Sequence, residues 1–183
     1  MTVIKRLEGK RVLVLLAPEF EDSEFRDVVG ALTLLGAATT VASTFKEALD
    51  GKRGEVTVIP DTLVNDVTIE GYSALYIPGG RSPAKIRGDP EVQRLTKRAY
   101  DQGLRIGAVC HGPQVLISAG IAKNRTMTSY PTVGKELQDA GANYSGKPVE
   151  RDGSITTASD PRALSKFNTV FIREIACCEV FAP

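Results

Sequence analysis

The sequence predicts an α/β protein, a mostly parallel sheet with helices on both faces. Short aliphatic runs such as VLVLL and ALYI are continuous rather than alternating, as in strands covered on both sides. Stretches of helical periodicity separate them, which implies right-handed crossover units. No linker, repeat or low-complexity segment interrupts the alternation, so residues 1–183 are expected to form a single domain.

The elements follow in order. Val12–Leu16 reads as a buried strand. Glu24–Leu35 reads as a helix with Phe25, Val28, Val29, Leu32 and Leu35 on one face, stopped by Gly36. Thr39–Ser43 is a second strand, and residues 51–54 form a turn before a strand at Glu55–Ile59. Ala74–Ile77 is another strand, ending at Pro78-Gly79-Gly80. Asp89-Pro90 supplies an N-cap and a first-turn proline for a helix running to about Gln102. Arg105–Val109 is the next strand, and Gly112–Ala119 the helix after it. A helix near Val133–Ala140, a hairpin around Asp152-Gly153 and a closing helix from about Arg162 complete the chain.

Composition excludes several functions. Lys and Arg number 23 against 22 Asp and Glu, so bulk charge gives no reason to expect nucleic acid or an acidic membrane as partner. The single histidine, His111, rules out zinc sites that need two imidazoles. Three cysteines make a secreted disulfide framework improbable. With no signal-peptide pattern and no apolar run long enough to span a bilayer, a cytoplasmic location is expected. There is no Gly-rich dinucleotide fingerprint after a strand and no P-loop, so neither cofactor nor metal is expected.

Chemistry collects where ligands bind in such folds, at the carboxyl ends of the strands. Three strand ends stand out: Glu19-Phe20-Glu21-Asp22, Pro78-Gly79-Gly80 and Cys110-His111-Gly112. Ala108-Val109-Cys110-His111-Gly112 has the pattern of a nucleophile elbow with Cys as nucleophile. An ordinary thiol, with a pKa near 8.5, is only about 3% thiolate at neutral pH. The start of the following helix is expected to lower that pKa. The alternative for Cys110 is a buried structural cysteine. Gly79-Gly80 lets backbone approach a tetrahedral intermediate, although alone it is only a turn signal.

The segments AVCHGPQVLISAG, IPGGRSP, APEFEDSEF and TSYP followed by DAGANY resemble the ThiJ/PfpI superfamily, nearest its PfpI-type intracellular protease branch. The likeness runs from about Arg11 to Phe171. It implies one ThiJ/PfpI domain with a flavodoxin-like three-layer sandwich and Cys110 as nucleophile. On spacing alone Glu19, Glu21 and Asp22 compete as its acidic neighbour. The resemblance selects Glu21, expected to hydrogen-bond the sulfur as a neutral acid with a raised pKa. It also implies an oxyanion hole from Gly80 and the His111 N–H, and places Gly79 and Tyr130 near the pocket. Relatives form dimers or hexameric rings, so a homodimer or hexamer is expected.

Two departures stand out. PfpI-type proteases complete a Cys-His-Glu triad with a glutamate where this chain has Ala84, which cannot orient an imidazole. Asp89 and Glu91 are the candidate substitutes. Relatives often carry Ser-Arg-x-Pro before the final helix, where this chain reads Ala158-Ser159-Asp160-Pro161. The tandem Cys177-Cys178 has no motif partner and reads as packing. The cations Arg81, Lys85 and Arg87 follow the Gly-Gly, and read as a solvated face, an interface lining or an attraction for anionic substrates.

Three functions follow from different classes. One is a cysteine peptidase or amidase acting on unfolded proteins and peptides. The second is a glutathione-independent glyoxalase or deglycase acting on small reactive carbonyls such as methylglyoxal, or on their adducts with proteins. An aldehyde is more electrophilic than an amide, so the second survives a weakened base better. The third is a non-catalytic stress sensor working through oxidation of Cys110.

Overall fold

The computed structural model describes residues 6–177. Its centre is a seven-stranded sheet, and chain order gives β1 (Arg11–Leu15), α1 (Asp22–Leu34), β2 (Ala38–Ser43), β3 (Leu49–Asp50), β4 (Thr57–Val58) and β5 (Thr62–Leu63). After these come β6 (Ala74–Ile77), α2 (Ser82–Ile86), α3 (Pro90–Asp101), β7 (Arg105–Val109), α4 (Pro113–Ser118), β8 (Thr126–Met127) and α5 (Pro131–Asp139). The remainder is β9 (Asn143–Tyr144), β10 (Val149–Asp152), β11 (Ile155–Ala158) and α6 (Leu164–Ala176).

The sheet runs β10-β11-β7-β6-β1-β2-β5, parallel throughout except where β10 meets β11. The chain leaves β1 for β2 on one side and returns to β6 on the other, so the strand order switches between β1 and β6. That reversal opens a crevice at the carboxyl ends of β1, β6 and β7, where the three motif-bearing turns emerge.

Strands with both faces buried divide the apolar residues into two layers. Leu13, Leu15, Leu75, Ile77 and Ile106 point toward α3 and α4, packing on Val92, Leu95, Val115 and Leu116. Val12, Val14, Tyr76 and Val109 point toward α1 and α6, meeting Val28, Leu32, Phe167 and Phe171. Each such fully buried aliphatic side chain contributes about 1.5–3 kcal/mol. The three-layer sandwich expected from the sequence is the observed architecture.

Two details differ from the sequence expectations. Residues 55–59 do not add a strand to the main sheet, because only Thr57–Val58 pair, antiparallel, with Leu49–Asp50. The resulting small hairpin folds back over the start of α1, with the Lys52 N–H donating to the Phe20 carbonyl. The short helix α2 after Gly-Gly was not anticipated, since its five residues carry no readable period. Cys177 caps α6 as an exposed free thiol, and Cys178 lies outside the described residues.

Candidate active site

Cys110 sits one residue beyond β7 with φ +61°, a left-handed conformation that a non-glycine residue adopts at a cost of about 1–3 kcal/mol. Hydrogen bonds on both sides hold it there. Its N–H donates to Ala158 O at 2.9 Å, its carbonyl accepts from Tyr130 N at 2.9 Å, and Gly112 N closes the turn onto Val109 O at 2.7 Å. This is the strained strand-to-helix elbow predicted from the sequence.

Against it stands the Gly79-Gly80 turn. Gly80 has φ +74° and bridges Phe20, and a Cβ there would lie 2.4 Å from Glu19 O. A Cβ on Gly79 would lie 2.7 Å from both Cys110 Cβ and Glu24 Oε2, so only glycine lets the three approach. The backbone N–H groups of Gly80 and His111 hydrogen-bond the Cys110 sulfur, forming the two-donor cradle expected of an oxyanion hole.

The acid beside the thiol is Glu24, and the expectation for Glu21 is corrected. Glu24 is fully buried, accepts the Gly79 N–H at 2.6 Å through Oε2 and makes a side-chain hydrogen bond with Cys110. Its other oxygen, Oε1, is buried without a hydrogen-bond partner. Burial, outweighing the Gly79 hydrogen bond and helped by the charge of Glu21, pushes its carboxyl up to about 8. Glu21 instead lines the open cleft, with its carboxylate 3.5 Å from Arg53. The physical reason is where the helix begins. Glu21 is the N-cap residue and turns into the cleft toward Arg53, whereas Glu24 sits in the first turn, four residues before Val28 and eight before Leu32 on the buried stripe. That helical spacing is the one signal in the sequence that could have pointed to Glu24 as the inward-facing acid.

A second expectation also changes. Helix α4 is only six residues long, and the thiol lies mostly out of water. Burial pushes the Cys110 thiol up, and an ionised Glu24 pushes it further, while the Gly80 and His111 N–H groups pull it down. The helix terminus does not dominate as the sequence reading supposed. A proton kept on Glu24 removes the repulsion from its carboxylate and leaves a donor for the sulfur.

His111 turns toward the thiol, with Nδ1 3.2 Å from Sγ. Its Nε2 lies 3.4 Å from Thr132 Oγ1, and its ring stacks on Tyr130 with centroids 5.2 Å apart. Burial and then the charge of Lys52 lower its pKa, opposed by Glu136. A neutral imidazole with its proton on Nε2 donates to Thr132 and leaves Nδ1 free to accept from the thiol.

Neither proposed substitute acid reaches the ring. Asp89 caps α3 by accepting from the N–H groups of Glu91 and Val92 at 2.8 and 3.1 Å, and Glu91 pairs with Arg94. Ala84 lines the cleft where the triad glutamate was missed, and a hydroxyl holds the far side of the imidazole. Thr132 escaped the sequence reading because it carries no charge and follows a proline turn.

The cleft over these groups has a volume of about 470 Å³, and Gly80, Cys110, His111, Gln114 and Tyr130 are among the residues lining it. Around it the basic cluster is paired rather than free. Arg81 and Lys85 both contact Glu19 at 2.9 Å, and Arg87 bonds Glu136 at 2.6 Å. At the Ser159-Asp160-Pro161 departure, Asp160 accepts from Arg162 Nε at 2.9 Å. Its carboxyl is held down at about 2, mainly by that guanidinium.

The family model described as DJ-1/PfpI matches residues 10–174. The chain belongs to the DJ-1/PfpI family. Among its relatives are protein/nucleic acid deglycase 2 of Escherichia coli, 33% identical over 90% of this chain and 97% of that protein, and a deglycase of Pyrococcus abyssi, 33% identical over 89% and 98%. The crystal structure of Drosophila melanogaster DJ-1beta superposes with a TM-score of 0.84 at 30% identity, covering 94% of this chain and 93% of that one. Members of this family thus share the fold on which Cys110 and Glu24 are placed, and among the described residues no helix is long and apolar enough to cross a membrane.

Proposed function

We propose that this DJ-1/PfpI protein is a cysteine-dependent, glutathione-independent glyoxalase or deglycase acting on small α-oxoaldehydes and their adducts. The observation that carries the reading is the buried Cys110 thiol, held between a protonated acid, Glu24, and an imidazole without a carboxylate partner. Relatives named deglycases support it.

With methylglyoxal, His111 Nδ1 takes the thiol proton as Sγ bonds to the aldehyde carbon. The oxygen becomes an oxyanion against the Gly80 and His111 N–H groups, and the imidazolium returns its proton there to give a hemithioacetal. His111 then removes the hydrogen from that carbon as a proton and delivers it to the neighbouring carbon through an enediol. The product is a thioester of Cys110, which water cleaves to lactate and free thiol. Glu24 holds the sulfur through its proton and does not leave its place. The overall change is methylglyoxal plus water to lactate, with no external oxidant or reductant.

Peptide cleavage is the harder task. An amide needs a strong general acid for its leaving nitrogen, and Thr132 cannot stabilise an imidazolium as a carboxylate does. We expect lactate release from methylglyoxal with little peptidase activity. Both rates are measured for the wild type and Cys110→Ser. Lactate release that persists in Cys110→Ser would sink the reading, and Cys110-dependent peptide cleavage without lactate would replace it with the peptidase. Loss of both, with ready oxidation of Cys110, would favour the sensor.

A further inference from the structure

The rim of the cleft is unevenly neutralised. Three cations and one carboxylate line it: Lys52, Arg53, Arg81 and Glu21. Arg53 is matched with Glu21 at 3.5 Å, and Arg81 with Glu19 at 2.9 Å. Among the described residues Lys52 has no carboxylate within 4.0 Å. It is exposed, yet its backbone is fixed, because its N–H donates to Phe20 O at 2.8 Å. Its neighbours on the hairpin are fixed as well, with Arg53 N, Glu55 N and Val56 N donating to the buried Asp22 carboxylate at 2.8, 3.0 and 2.9 Å.

A cation held on a rigid support, lining the same cleft as a nucleophile and left without a partner, is a recognition element for a negative group. We propose that Lys52 forms an anion subsite, and that the preferred carbonyl substrate carries a carboxylate or phosphate group beside its reacting carbon. The inference rests on the carbonyl reading only for the identity of the reacting atom. Lys52 is a specificity residue here and takes no part in bond making. A compact ammonium suits either anion, since it acts as a point charge rather than a bidentate fork.

Alkylation of Cys110 tests this without any turnover. Iodoacetate and iodoacetamide both form an Sγ–carbon bond and release iodide, and they differ in one negative charge. Their rates are measured on the full chain by mass spectrometry of the Cys110 peptide, each divided by the rate with free cysteine. The wild type is expected to favour iodoacetate. Lys52→Ala should lower that preference by about fivefold, and Lys52→Glu by more, while the iodoacetamide rate divides out any change that the lost Lys52 charge makes at His111. Lys97→Glu, on the outer face of α3 beside Asp101, should leave it intact. An unchanged preference in Lys52→Ala, or an equal fall with both reagents, would overturn the subsite. Inorganic phosphate and acetate, at ionic strength matched with sodium chloride, are then tested for protection against iodoacetamide. Protection by one names the group as phosphate or carboxylate, and protection by neither overturns the proposal. Failure of lactate production leaves all of these rates readable, so the two ideas fail separately.

Discussion

Asp22 and Glu24 sit two residues apart in the first turn of α1, both fully buried, yet their environments assign them opposite charge states. Burial pushes each carboxyl up. At Asp22, backbone N–H donors from Arg53, Val56 and Glu55 overcome that push, and the group stays ionised below its ordinary range. At Glu24 one backbone N–H, from Gly79, does not suffice, and the carboxyl rises to about 8. Loss of surface alone therefore does not decide whether such an acid is charged. Glu24 is walled in by protein and meets one backbone donor, whereas Asp22 meets three and is desolvated less. The three-donor acid anchors a hairpin, and the one-donor acid keeps a proton that it can lend to a sulfur.

The largest expected effect tests the sign of this contrast. Glu24 is raised above its unfolded value of 4.5, so its contribution to stability is complete below that value and is lost as pH climbs through about 8. Wild-type unfolding free energy should therefore decline across this window, by up to roughly 1.4 kcal/mol per pH unit. Glu24→Gln should flatten the decline, which urea titrations at several pH values would show. An unchanged slope would mean that Glu24 is ionised in the folded protein.

Asp22→Asn comes next, since it sets an amide against three N–H donors and frees the hairpin. It should cost about 3 kcal/mol in urea unfolding at neutral pH. The wild-type contribution runs the other way from that of Glu24: Asp22 is depressed below 3.8, so its stabilisation is present above that value and disappears as pH falls below it. A loss under 1 kcal/mol would erase the distinction between the two acids.

Gly79→Ala drives a methyl between Cys110 and Glu24. It should destabilise by about 2 kcal/mol, and it should slow Cys110 alkylation if the methyl displaces the acid from the thiol. Wild-type behaviour would show that the close approach at this turn is not required. The smallest effect belongs to Thr132→Val, which removes the hydroxyl from His111 Nε2. Lactate release should fall about threefold to tenfold while the unfolding midpoint barely moves. No change in rate would remove Thr132 from the site.

Much of this was legible in the sequence, and the limits have physical causes. Aliphatic runs bounded by Pro-Gly-Gly and Cys-His-Gly fix the strands and the turns after them, since continuous apolar runs fit only strands with both faces covered. The elbow and the lone histidine followed from position, and the Gly80 donor from the family resemblance. The acid did not, because only the loop acids Glu19, Glu21 and Asp22 were weighed against the thiol. Glu24 lies four and eight residues before Val28 and Leu32 on the buried stripe, while Glu21 is the N-cap. The role of Thr132 depends on a loop crossing from β8 toward the elbow, and the isolation of Lys52 on which charges pair across the cleft. Both are tertiary facts with no local pattern.

The central claim is that Glu24 holds a proton beside Cys110 at neutral pH. Infrared difference spectroscopy across a pH titration reads it directly, through the carbonyl stretch of a protonated carboxylic acid. The account predicts such a band at neutral pH that bleaches with a midpoint near 8, is absent in Glu24→Gln and persists in Glu21→Gln. A neutral-pH spectrum without the band, or one that loses it in Glu21→Gln instead, would contradict the account.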